Sequence, residues 1–314
     1  MSKPTIAVVS VSGGKDSALT ADKAKEQHGV ENCRFVMCDT GNESDMTMQF
    51  VRGPLQDFLG APIEIIRPDF SGRIAAKRLY VAQKWPEKGV PAHIVERALE
   101  VLQPMGNPFL DLCLWKGRFP SRLAQFCTQE LKRYPLDQFT MDVMAEGYRV
   151  ESWRGVRRDE SDNRRDALER EFSAEGWEIV RPIVHLTAAE VFSESKIRGI
   201  PINPLYLMGC SRVGCFPCIN CTKDELAIIA RRFPEEVKRI RYWETIVSQC
   251  CKLGFSTFFY ADGADLSLTP EEIFDRWNID GRVDWAMTSR GGKQYDLLRI
   301  APPPSCSSVY GLCE

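Results

Sequence analysis

Ser12-Gly13-Gly14-Lys15-Asp16-Ser17 is the stretch on which the fold turns. Before it runs an apolar, β-branched segment, Thr5-Ile6-Ala7-Val8-Val9, and after it Ala18-Leu19-Thr20-Ala21 opens a helical pattern. A strand, a glycine turn and a helix in that order aim several backbone N–H groups and the positive end of a helix dipole at one point. The two glycines let the backbone approach an anion with no Cβ in between. Lys15 adds a point charge, and the hydroxyls of Ser12 and Ser17 can donate hydrogen bonds. The expected ligand is a phosphate chain.

Strands and helices alternate from there. A helix is expected over about 17–29, a strand over Cys33-Arg34-Phe35-Val36-Met37-Cys38, a helix over 44–59 bent near Gly53-Pro54, and a strand over Ile63-Glu64-Ile65-Ile66. Further on, a helix from Pro120 to Lys132, another over 136–145, a strand over 148–153 and a short strand within 177–184 continue the pattern. Such alternation predicts an α/β fold with a doubly wound, mostly parallel sheet that takes ligands beyond the carboxyl ends of its strands. Asp39 falls at such an end, placed either to meet a nucleotide's sugar or a Mg²⁺ ion, or to close a turn. Thr187-Ala188-Ala189-Glu190 and Thr222-Lys223-Asp224-Glu225 read as capping boxes, and Thr269-Pro270-Glu271-Glu272 starts a further helix. Two units are expected: an α/β unit over 1–205 with a helical insertion at about 69–118, and a cysteine-bearing helical region over 206–314 ending in an extended tail.

Forty-one basic residues against 43 acidic ones give a formal net charge of −2, so no global field points to nucleic acid. No apolar run reaches the ~20 residues of a membrane helix, and no leader pattern precedes the first strand. The cytosol is the expected compartment. Twelve cysteines in a reducing compartment read as metal-binding or catalytic rather than as a disulfide framework. Cys210, Cys215, Cys218 and Cys221 stand close together, the last three at two-residue spacings that let thiolates converge on one centre. Zinc and iron–sulfur clusters both accept such ligands once a fourth closes the set. The three histidines, His28, His93 and His185, have no spacing that points to catalysis.

The hexad is not a Walker A loop, because Asp16 separates Lys15 from Ser17. It resembles the pyrophosphate loop of the ATP pyrophosphatases, whose members attack ATP at its α-phosphate. Phe126-Cys127-Thr128-Gln129-Glu130-Leu131-Lys132-Arg133, Gly155-Val156-Arg157-Arg158-Asp159-Glu160-Ser161 and Gly214-Cys215-Phe216-Pro217-Cys218 resemble segments of the phosphoadenylylsulfate reductase family within that superfamily. Together these matches span about residues 5–225. The resemblance implies a [4Fe–4S] cluster on Cys127, Cys215 and Cys218, with Cys221 or Cys210 as the fourth ligand and zinc as the alternative metal. Cys221 is preferred, since it continues the spacing and precedes a helix N-terminus.

Arg154, Arg157, Arg158, Arg164 and Arg165 form the densest basic run. Arg157 and Arg158 are expected to clamp nucleotide phosphates or a sulfate, with a nucleic-acid backbone as the other reading, and Arg164 and Arg165 to pair with neighbouring carboxylates on a solvated face. Cys313 lies four residues after Val309 in a tail whose ending shares residue types, but not their order, with the mobile nucleophile segment of the sulfonucleotide reductases. The leading expectation is an ATP- and Mg²⁺-dependent sulfur transfer. Gly13, Gly14, Lys15 and Ser17 would hold the departing pyrophosphate, Asp16 would orient the loop or the metal, and the sulfur donor stays unspecified, with nucleic acid one candidate acceptor. Reduction of a sulfonucleotide to sulfite through Cys313 is the second expectation. A non-catalytic, metal-stapled nucleic-acid-binding partner is the third.

Overall fold

The computed structural model describes residues 3–261 and 267–289, so Cys313 and the proline-rich tail lie outside the described residues. Six strands, β1 (Thr5–Ser10), β2 (Cys33–Cys38), β3 (Ile63–Ile66), β4 (Arg149–Trp153), β5 (Arg170–Phe172) and β6 (Glu178–Val180), form one sheet in the order β3-β2-β1-β4-β6-β5. All pairings are parallel except β5 with β6. The α/β expectation, a mostly parallel sheet with the loop after the first strand, is met.

Alternation along β1 explains why the sheet is covered twice. Ala7 and Val9 join Leu19, Phe35 and Trp153 in one hydrophobic cluster, while Ile6 and Val8 join Val36, Leu136 and Val150 in another. Successive side chains leave a strand on opposite faces, so a near-continuous apolar run marks a strand buried on both. The β1–β2–β3 half runs one way from the first strand and β4 lies on its other side. The crevice of such a sheet opens where the order reverses, between the carboxyl ends of β1 and β4.

Helix α1 (Lys15–His28) follows the loop, and α2 (Asp45–Phe50) and α3 (Gln56–Leu59) are joined by a π turn over Val51–Leu55. Pro54 lies in that turn. A proline lacks the N–H and crowds the carbonyl four residues back, and the wider turn relieves both. After the insertion helices α4 (Ser71–Glu87), α5 (Ala92–Val101) and α6 (Pro108–Lys116), the same device recurs between α7 (Phe126–Thr128) and α8 (Tyr134–Ala145), with a π turn over Gln129–Arg133 just before Pro135. The helix expected from Pro120 therefore needs correction. Ser121 and Ala124 close a tight turn by exchanging backbone hydrogen bonds, and the helix runs from Phe126 through to Ala145 without the break anticipated before 136. β5 has no counterpart among the expected elements; at three residues, Arg170-Glu171-Phe172 carries no alternation to read.

The chain continues through α9 (Ala188–Ile197), α10 (Pro204–Leu207), α11 (Lys223–Arg232), α12 (Pro234–Gln249), α13 (Pro270–Trp277) and α14 (Ile279–Ala286). The capping boxes at Thr187, Thr222 and Thr269 all form. Ile74, Trp85, Val95 and Leu112 of the insertion share one cluster with Leu226, Ile240, Trp243 and Ile279, so the insertion and the later helices build a single helical layer.

Glu244 of α12 ties that layer together. Fully buried, it accepts hydrogen bonds from the backbone N–H of Phe258 at 2.8 Å and of Ile279 at 2.9 Å. Burial pushes its carboxyl up to about 7, against the help of those two donors. A carboxyl raised in the folded state contributes stability that is present below its unfolded value near 4.5 and is lost as pH rises through about 7. Stability should therefore fall by about 3 kcal/mol from this group across that window. Denaturant titrations at pH 5 and pH 8 check it: Glu244→Gln is expected to be less stable than the parent at pH 5, with the gap narrowing at pH 8. An unchanged gap would overturn the assignment.

Candidate active site

The glycine loop owes its shape to contacts on three sides. Gly13 has φ +72°, and a Cβ there would come within 2.8 Å of Thr47 and 2.9 Å of Val51. Its carbonyl accepts from the Asn203 amide at 3.1 Å, and Asn203, almost fully buried, also reaches Thr47 Oγ1 at 3.3 Å. Ser17 Oγ accepts from the N–H and the hydroxyl of Ser12 at 3.0 and 3.1 Å, and donates to the Gly14 carbonyl at 3.0 Å. Gly14 is the N-cap of α1 with no side-chain cap bond. Gly155, just beyond β4, lies so close that a Cβ would meet the Asp16 backbone at 2.8 Å. That contact locks the loop to the neighbouring strand end across the crevice.

Charges converge beside it. Asp16 accepts from Lys15 Nζ at 2.9 Å and from Arg157 Nε at 2.5 Å, and Arg157 reaches on to Asp159 at 2.9 Å. Burial works against the Arg157 charge, and Asp16 with Asp159 outweighs it. Lys15 Nζ lies 5.7 and 5.8 Å from the ring centroids of Phe192 and Tyr206, and its backbone N–H donates to Tyr206 Oη at 3.2 Å. Asp16 and Arg157 thus brace the loop against the β4 end.

A cleft of about 600 Å³ opens over this arrangement. Ser12, Gly14, Lys15, Asp16 and Ser17 line one side and Cys215 and Cys218 another, with Cys38, Glu43, Lys132, Arg154, Arg157, Arg164 and Arg212 between. The cysteine loop is carried to the sheet by the segment after β2. Phe216 N–H donates to the Asn42 carbonyl at 2.6 Å, the Asn42 amide to the Pro217 carbonyl at 2.9 Å, and Thr40 Oγ1 lies 3.7 Å from Cys215 Sγ. Arg239 clamps the same junction through Asn42 and the Phe216 carbonyl.

Cys127, Cys215 and Cys218 are in mutual charge contact. Burial first, then Cys215 and Cys218, push the Cys127 thiol up to about 11. Burial also raises Cys215, against the pull of the Lys132 ammonium, which is itself held protonated by Cys215, then by Glu43 and Cys218. Cys221 is raised by burial, then by Glu225 and Cys218. Cys210 is elsewhere, packed with Leu205, Phe216 and Ile229, with Glu225 and Arg232 as its charge neighbours. Among the described residues no group of three or more Cys, His, Asp or Glu side chains is arranged around one metal ion.

Gly13, Cys127 and Cys221 do not line the cleft themselves, and Asp39, Arg158 and Arg164 depart from expectation. Asp39 does not line the cleft: it accepts from the Gly41 N–H at 2.8 Å and faces Arg67 at 3.5 Å, the turn-closing arrangement. Arg158 opens a 3₁₀ turn and leads away from Arg157, to the Ala167 carbonyl at 2.9 Å and His185 at 3.3 Å. Arg164, expected on a solvated face, lines the cleft while pairing with Glu160. Lys132, Glu43, Tyr206 and Asn203 are the site residues sequence reading missed.

An open parallel sheet with a glycine loop at its reversal point defines a nucleotide-binding α/β protein. The chain belongs to the phosphoadenosine phosphosulfate reductase domain family, whose sequence profile matches residues 6–221, within the PP-loop ATP pyrophosphatase superfamily. It is similar to the Uncharacterized 37.8 kDa protein in gpa 5'region of Escherichia phage 186, 43% identical over 328 aligned residues that cover 99% of this chain and 97% of that protein. It is also similar to the adenosine 5'-phosphosulfate reductase of Burkholderia cepacia, 28% identical over 137 residues, 43% of this chain and 49% of that one. Among solved structures, the phosphoadenylyl-sulfate (PAPS) reductase from Candida auris in its phosphate complex aligns with a TM-score of 0.41 at 15% identity, over 68% of this chain and 82% of that one. No helix among the described residues is long and apolar enough to cross a membrane.

Proposed function

We propose that the protein is an ATP pyrophosphatase that activates an acceptor oxygen for replacement by sulfur. The observation that carries this reading is the single cleft shared by the glycine loop and by Cys215 and Cys218. An acceptor oxygen attacks the α-phosphorus of ATP, the bond to the β-phosphate oxygen breaks, and pyrophosphate leaves with the electron pair. A sulfur nucleophile then attacks the activated atom, and AMP leaves with the oxygen. Negative charge grows on the departing pyrophosphate, where Gly13, Gly14, Lys15 and Ser17 supply backbone donors, a cation and a hydroxyl, beside the Mg²⁺ that accompanies the nucleotide. Asp16 and Arg157 keep that loop in register.

A cluster is the reading preferred for the thiols, with zinc as the alternative. A zinc ion needs four donors about 2.1–2.3 Å from one centre, whereas a cubane gives each thiolate its own iron and spaces the sulfurs more widely. Cys215 and Cys218 line the cleft and Cys127 and Cys221 lie near enough to feel their charge, which makes these four the candidate ligands. A [4Fe–4S] cluster there would supply thiophilic iron able to hold sulfide at the cleft.

Reduction of a sulfonucleotide to sulfite is the second reading, favoured by the family and by the Burkholderia cepacia relative. Incubation with labelled ATP, Mg²⁺ and candidate acceptors separates the two. Pyrophosphate release is expected; thiol-dependent sulfite formation from adenylylsulfate or its 3′-phosphate, with no pyrophosphate, would replace the first reading by the second.

A further inference from the structure

Helix α4 of the insertion carries an unusual charge balance for a chain of net charge −2. Over residues 71–88, Arg73, Lys77, Arg78, Lys84 and Lys88 stand against one carboxylate, Glu87. Arg78 turns away to the carbonyls of Leu99 and Leu102, and Lys84 pairs with Glu87 at 2.9 Å. Arg73, Lys77 and Lys88 have no carboxylate within ion-pair distance among the described residues, nor has Lys252 beside them. Positions 73, 77, 80, 84 and 88 recur at helical spacing, so these side chains run along one flank for about 22 Å.

Aromatic rings are set into that flank. Tyr80, 41% exposed, accepts from Lys88 Nζ at 2.6 Å and has Lys77 Nζ 5.7 Å from its ring centroid. Its charge neighbours are Lys88, Lys77 and Lys252, all cationic. At the helix start, Arg73 and Lys116 lie over Trp115 at 5.1 and 3.6 Å. Lys84–Glu87 and, at the helix start, Lys116–Glu130 are ion pairs on this flank, and the remaining cations leave it with a positive surplus. Cations with no carboxylate partner among the described residues, spaced along a line with an exposed ring between them, match a polyanion that also has flat, stackable groups.

We propose that this flank of α4 is a docking surface for single-stranded nucleic acid, with Arg73, Lys77, Lys88 and Lys252 on backbone phosphates and Tyr80 stacking on a base. The surface lies outside the cleft and does not rest on the reaction assigned there.

Fluorescence anisotropy of the full chain with a labelled 20-nucleotide oligo-dT, a duplex of equal length, and vesicles of 30% phosphatidylserine in phosphatidylcholine tests it without ATP or metal. The oligo-dT is expected to bind best, and to weaken steeply as salt rises. The variant Arg73→Glu/Lys77→Glu/Lys88→Glu should lose at least tenfold in affinity and flatten the slope of log K against log salt by about 2. Tyr80→Leu should weaken binding about fivefold or more at unchanged slope. Equal affinity of parent and triple variant would overturn the proposal, as would preference for the duplex or the vesicles. Should the triple variant misfold by circular dichroism, the Tyr80→Leu result decides alone.

Discussion

Lys15→Ala is expected to leave the fold intact and to cut pyrophosphate release at least a hundredfold. The Lys15 side chain is 8% exposed, and its contacts include Asp16 Oδ2 at 2.9 Å and the faces of Phe192 and Tyr206. Asp16 keeps Arg157 at 2.5 Å when the ammonium is gone, so no buried carboxylate is abandoned. Stability should therefore drop little, and far-UV circular dichroism and the denaturant midpoint should stay near those of the parent. Turnover is another matter. The charge that appears on a departing pyrophosphate must be met inside a partly enclosed cleft, and removing one preorganised donor from such a site costs a factor of roughly 10²–10³. Steady-state pyrophosphate release by parent and variant is the measurement. Unchanged release from a folded variant would show that the loop does not handle the leaving group.

How much of this could be read from the chain alone depends on how local each feature is. The loop, its flanking strand and helix, and the two capping boxes at Thr187 and Thr222 are set by contiguous residues, and the sequence displays them directly. Arg157 was legible as a site residue but not in its role, because its partner Asp16 lies 141 positions away and only the meeting of the β1 and β4 ends joins them. Lys132 was hidden by its helix. On a regular α-helix a residue five positions after Cys127 would lie about 140° further round, but the π turn over Gln129–Arg133 changes that rotation and brings both to the Cys215 side. Asn203 shows no pattern of its own; its function as a buried clamp on the Gly13 carbonyl exists only once α10 packs beside α2. The insertion was legible as helical and illegible in its partner, since the helices that complete its core begin a hundred residues later.

Iron content should separate the cysteines into two groups. Protein purified under strict anaerobiosis is expected to be brown, with about four irons and matching acid-labile sulfide per chain. Cys127→Ala, Cys215→Ala and Cys218→Ala should each bring iron to background, because each removes a thiol from the set whose members act on one another's charge. Cys221→Ala tests the fourth place, which its charge contact with Cys218 supports. Cys210→Ala should keep its iron: that thiol is packed among Leu205, Phe216 and Ile229 and feels Glu225 and Arg232 rather than the other cysteines. The contrast between Cys210 and Cys221 matters more than the colour, since either could have closed the ligand set by spacing alone. Lys132→Ala offers an independent check on the arrangement, because its ammonium faces Cys215, then Glu43 and Cys218. A cluster carried by thiolates beside a buried cation loses a counter-charge when that cation goes, so its reduction potential should move to more negative values while the iron content holds. Colourless protein with one zinc per chain would end the cluster assignment, and loss of iron in Cys210→Ala with retention in Cys221→Ala would move the fourth ligand to the other side of the cysteine loop.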